Sequence, residues 1–146
     1  MSPLPSTRVI HRDWAAHHAP VAQGTMNATC VITLGATGAG WSPTTGPSKG
    51  AGVTTYAGPC RVQYDPAQPR SGDAADQPTS TRTVLVTLPA AAAAQQRGAR
   101  VKITAVDGNG LVRLVGRTLT VQAVAPSSLA FEHDLTCWDD QTNQEV

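Results

Sequence analysis

The stretch GRTLTVQAV, residues 116–124, decides the fold class. Leu119, Val121 and Ala123 fall on one side of a two-residue repeat, and Thr118, Thr120 and Gln122 on the other. That alternation belongs to a strand with one face in a core and the other in water. The wet face carries only small neutral polar groups, with no acid, base or nucleophile.

Working outward, the same pattern recurs. RVKITAV (100–106) alternates and runs into the turn DGNG (107–110). RTVLVTLP (82–89) places Val84, Val86 and Leu88 on one face. ATCVITL (28–34), VTTYAGPCRVQY (53–64) and LAFEHDLTCW (129–138) are further strands. Gly58-Pro59 inside the second of these marks a bulge or a switch between sheet edges. AAAAAQQRGA (90–99) reads as a short helical turn ended by Gly98. Residues 6–19 read as a helix capped by Ser6 or Thr7, with Ile10, Trp14 and His18 on one stripe and Pro20 ending or kinking it.

These elements predict one mainly β domain over 1–146: a small six-stranded β-barrel across 28–138, preceded by a helical segment at 6–24. Two long Gly/Pro/polar stretches, 35–52 and 65–82, read as mobile inter-strand loops, and 139–146 as an acidic tail. Val84, Val86, Leu88, Val101, Ile103, Leu119, Val121 and Leu135 are expected to line the barrel, with Trp14 packed on its outside or end. Cys30, Cys60 and Cys137 are far apart and sit among apolar strand residues without a CxxC, so they are expected to be free and buried.

Reactive constellations are scarce. GATGAG (35–40) does not continue into the Gly-Lys-Ser/Thr of a phosphate loop, because Lys49 follows Gly-Pro-Ser and precedes Gly50. His11, His17 and His18 share the helix, but no HExxH occurs and His133 is remote. No GxSxG is present, and the paired acids Asp139 and Asp140 fall in the predicted tail, a poor place to hold catalytic geometry. Tyr56 and Tyr64 lack the interleaved cations of a single-strand binder. Neither catalysis nor a cofactor or metal is expected. No secretory signal or membrane-length apolar run is seen, which points to a soluble product of a cytoplasm.

The charge is +1 in total but unevenly placed. Arg97, Arg100, Lys102, Arg113 and Arg117 lie close together with Asp107 as the one acid among them. No Lys or Arg follows residue 117, whereas Glu132, Asp134, Asp139, Asp140 and Glu145 do. The split describes either two solvated faces or complementary patches on neighbouring subunits, with the cations of one meeting the acids of the next.

The order MNATCVITL, YAGPCRVQ, a polar loop, TVLVTLP, RGARVKITAV and VGRTLTVQAV after a short helix resembles the head-closure, or head-to-tail stopper, proteins of long-tailed phages. It is most similar to a minor connector family of actinobacteriophages, from which it departs in the longer 35–52 loop and in RGAR at 97–100. The resemblance implies a virion protein, made in the host bacterial cytoplasm. It implies a hexameric or dodecameric ring between a portal or adaptor ring above and tail-terminator or tail proteins below. Such a ring closes the DNA channel after packaging, offers the tail its attachment surface and touches packaged DNA only along the channel. A loop facing the lumen is the usual stopper element, and Arg70, Asp73, Asp76 and Arg82 are its candidates here. The alternatives are a tail-terminator or adaptor ring, or a small ligand- or nucleic-acid-binding barrel.

Overall fold

The alternation at 116–124 becomes one stave of a closed barrel. A computed structural model describes residues 10–35, 41–44, 46–47, 52–64, 70–74, 77–108, 110–126 and 131–140. In chain order the elements are α1 (Trp14–Gly24), β1 (Ala28–Leu34), β2 (Trp41–Ser42), β3 (Gly46–Pro47), β4 (Val53–Tyr64), β5 (Arg70–Ala74), β6 (Gln77–Pro89), β7 (Arg100–Val106), a 3-10 turn (Val112–Leu114), β8 (Thr118–Ala125) and β9 (Glu132–Asp140). Six of the strands form an antiparallel cycle, β4-β1-β7-β8-β9-β6, which a second pairing of β4 with β6 closes.

Closure depends on β4 changing partner. Its residues 53–60 pair with β1, and 61–64 pair with β6. Gly58-Pro59 immediately precedes that switch. Tyr56 lies across Gly58 and donates from its hydroxyl to the Pro59 carbonyl at 2.7 Å, and a Cβ on Gly58 would sit 2.9 Å from that hydroxyl. The bulge in this strand falls at Thr55, opposite the Ile32–Thr33 step, rather than at Gly58-Pro59.

The eight expected core residues are all buried at 0–1% exposure, together with Ile32 and the three free cysteines. Each such side chain contributes roughly 1.5–3 kcal/mol of burial. The hydrogen bond shared with Cys60, and burial, push the Cys30 thiol up, and burial alone pushes Cys137 to about 12. In the opening stretch the register slips between Val121 and Ala123, so Val124 packs on the core while Ala123 is exposed. The expected inward position of Ala123 is therefore corrected: Gln122 is the extra residue of a bulge, which shifts the phase and bends the strand around the barrel. Gly116, at φ +88°, makes the reversal from the 3-10 turn into β8, a conformation in which a side chain would be strained.

Three other expectations are corrected. The 65–82 stretch is not one loop, because β5 pairs in register with residues 77–81 of β6, from Arg70↔Thr81 to Ala74↔Gln77. Thr79, Thr81 and Thr83 are β-branched, and Pro78 is tolerated because this arm has only two strands. Within 35–52, β2 and β3 pair as a short ladder. Residues 90–99 form turns rather than helix. The Gly98 and Val121 amides there exchange bonds with Val121 and Ala99 carbonyls at 2.8 and 2.9 Å, extending the sheet ladder past Gly98.

The helix begins at Trp14, with Asp13 at the cap position, and runs through Pro20 to Gly24. Pro20 and Ala16 are both exposed, so the carbonyl that loses its partner to proline faces solvent. The proposed caps Ser6 and Thr7 lie outside the described residues. Trp14 meets Phe131 edge-on at 5.1 Å and His18 at 4.6 Å, which fastens the helix to the start of β9.

Candidate functional site

The shortest polar contact among the described residues involves the charges that the sequence divides into two blocks. Asp139 does not belong to a tail. It follows Leu135 and Cys137 in the inward phase of β9, and its side chain is 0% exposed. One oxygen, Oδ2, accepts from Arg117 Nη1 at 2.5 Å and from the Tyr64 hydroxyl at 2.8 Å. Tyr64 ends β4, and Arg117 enters β8 just after Gly116, so the three groups tie together one rim of the barrel. Burial, followed by the bond to Asp139, pushes the Tyr64 hydroxyl up to about 12. Burial opposes the Arg117 charge, but Asp139 and Tyr64 outweigh it and hold the guanidinium firmly protonated.

A second network lies on the outward face, beside α1. Arg61 donates to Thr25 Oγ1 at 2.7 Å, to Glu132 Oε2 at 3.4 Å and to Thr87 Oγ1 at 3.5 Å. Thr87, fully buried, donates onward to Asp134 Oδ1 at 2.8 Å. Arg61, Thr87 and Asp134 are register partners across β4, β6 and β9. Thr25, which caps α1 by donating to the Ala22 carbonyl at 2.7 Å, links the helix to the barrel wall.

The charge-complementary subunit contact therefore needs correction for Arg117 and Asp139. They bind each other within one chain, because β9 carries Asp139 inward to where Arg117 and Tyr64 meet it. Glu132 and Asp134 are likewise engaged within the chain. The remaining cations, Arg97, Arg100, Lys102 and Arg113, are exposed and form no ion pair among the described residues. Asp140 ends β9 rather than opening a tail. Arg70 and Asp73 lie on β5, Arg82 is exposed on β6, and Asp76 is outside the described residues.

Sequence reasoning missed Tyr64, Arg61, Thr87 and Thr25. Tyr64 carried a usable signal, since it shares the phase of Cys60 and Val62. Arg61 carried another, as a single charge between apolar strand neighbours. Among the described residues, no three His, Cys, Asp or Glu converge as a metal site, and no helix is long and apolar enough to cross a membrane. Both polar networks consist of an arginine, carboxylates and hydroxyls joining separate strands. That arrangement holds separate elements together.

Residues 18–138 match the family described as "Family of unknown function (DUF6093)". The match spans α1 from its second turn and all six barrel strands, ending at Trp138, two residues before the end of β9. No curated protein and no solved structure matches the chain.

Proposed function

The chain belongs to the DUF6093 family, and for it we propose a non-enzymatic structural role: a ring subunit in the head–tail connector of a long-tailed phage. The ring closes the DNA channel after packaging and presents the surface to which the tail attaches. The reading rests on the resemblance in strand order and phrasing. The observation that carries it is the β5–β6 arm. Among the described residues β6 has barrel partners only from Thr81 onward, so residues 77–80 pair with β5 alone. A closed barrel has no free sheet edge, and a two-stranded arm continuing past its rim gives such a subunit reach toward a neighbour or into a channel. A head-to-tail ring needs two different patches per subunit, and the arm supplies one that is separate from the barrel wall.

The test is native mass spectrometry with negative-stain imaging of the purified chain and of a variant lacking residues 70–80. Closed rings of the full chain are expected. The deletion should keep the barrel's circular dichroism and melting behaviour while losing the ring. A chain that remains monomeric at every concentration, or rings that form equally well without the arm, would count against the proposal.

A further inference from the structure

We infer that the outward face of β7 and β8 is a binding surface for single-stranded nucleic acid, with Arg97, Arg100, Lys102 and Arg113 on the phosphates and Trp138 stacked on a base. Of the acids on β9, Glu132, Asp134 and Asp139 have partners within the chain and do not neutralise this face. The four cations are exposed and unpaired among the described residues, and β8 itself carries no charge.

The register places them together. Arg100 pairs with Thr120, and Thr120 pairs with Trp138, so the three form one row across β7, β8 and β9 on a single face. Two strand spacings put Trp138 about 10 Å from Arg100. Lys102 follows Arg100 on the same face, about 7 Å along the strand, comparable to the step between successive phosphates in an extended chain. Arg97 lies three residues before Arg100 in the chain, and Arg113 sits in the 3-10 turn packed on β7, so both cations flank this pair.

Trp138 is 48% exposed, whereas Trp is highly buried on average. An exposed indole beside these cations suits an unpaired base, because every base offers a π face and duplex bases are already stacked. An acidic protein partner fits less well. Protein interfaces centre on apolar contact, whereas the residue between Arg100 and Trp138 is a threonine and the exposed apolar residues Leu111, Val112 and Val115 lie at the 3-10 turn, outside that row. The inference does not depend on ring formation.

The test is fluorescence anisotropy of the full chain with labelled single-stranded DNA longer than about 16 nucleotides, and with a duplex of the same length, across a salt series. The single strand should bind more tightly than the duplex. Its log affinity should fall against log salt with a slope of about −3, from about 0.7 per phosphate contact. Arg100→Ser with Lys102→Ser should halve that slope, and so should Arg97→Ser with Arg113→Ser, a second pair outside the strands. Trp138→Ala should weaken binding about tenfold with the slope unchanged. Melting temperatures identify any variant whose fold has changed, and the two cation pairs serve as checks on each other. A duplex preference, a slope indifferent to both pairs, or an unaffected Trp138→Ala overturns the inference. So does a change in particle size with DNA binding intact, which would make the face a contact between copies.

Discussion

Among the described residues, two arginine–carboxylate networks join separate strands, built from the same chemistry in different surroundings. At the barrel rim, Asp139 is fully buried and Arg117 is 24% exposed. Beside α1, Arg61 and Glu132 are 23% and 21% exposed. The rim pair is shorter, 2.5 Å against 3.4 Å, and is completed by a tyrosine rather than by threonines. Each network keeps one buried atom, Asp139 Oδ1 or Arg61 Nε, without a hydrogen bond among the described residues. The closer, more buried rim pair is the more strongly attracted of the two. The cost of leaving a charge behind when its partner is removed separates them further, because it grows steeply with burial.

Removing Arg117 should therefore have the largest effect. Arg117→Ala strands the Asp139 carboxylate in the barrel, and breaking a buried pair from one side costs about 3–5 kcal/mol. Denaturant unfolding should show this as a lowered midpoint with an unchanged slope. Adding Asp139→Asn to Arg117→Ala should recover part of the loss, since the stranded charge is gone. A double variant as unstable as the sum of the two singles would mean that the residues act independently. Exchanging the charges, Arg117→Glu with Asp139→Lys, should fail to restore stability, because the longer lysine has to occupy a site closed by Tyr64.

The second network should yield less. Arg61→Ala unties Thr25, Glu132 and Thr87 together, but Glu132 can turn toward water. A loss of about 1–2 kcal/mol is expected from the broken hydrogen bonds. Its particular signature should be local, with earlier hydrogen exchange in α1 than in the barrel strands, because Arg61 joins the helix to the wall. A loss as large as that of Arg117→Ala would remove the distinction between the two sites.

These networks also mark the limits of reading the sequence. Period-two alternation made β1, β4 and β7 legible to the residue, along with the eight core side chains, because apolar strand faces are repetitive and local. The bulge at Gln122 was not legible. It adds one residue without altering composition, and it exchanges Ala123 for Val124 as the inward group. The β5–β6 arm looked like a loop because neither face is apolar, which leaves pairing as its only order. The candidate site was legible as clustered charge and illegible as geometry. Arg117 and Asp139 are 22 residues apart, and the antiparallel register of β8 on β9 brings them together. Asp139 was read as a tail residue because its charge outweighed its phase, although it continues the inward series of Leu135 and Cys137.

The smallest effect, and the most specific test of the rim, comes from Tyr64. Tyr64→Phe keeps the ring against the core and removes only the hydroxyl bond to Asp139, so a loss of about 1 kcal/mol is expected, partial exposure reducing the usual value for a bond to a charged group. The change in pH dependence is more telling. The hydroxyl's pKa is raised in the folded chain, to about 12, above the ordinary value near 10. A raised pKa means that the folded state holds its proton more tightly than the unfolded one. The associated stability is complete below pH 10 and is lost as pH rises from 10 through 12. Burial raises Tyr56 to about 12 as well, so two tyrosines contribute to the alkaline decline. Tyr64→Phe should then leave a shallower decline over that window, and an ultraviolet titration should show one late-titrating phenol in place of two. If Tyr64 instead titrates near 10 in the folded wild-type chain, the rim is open to water and the two networks do not differ in burial.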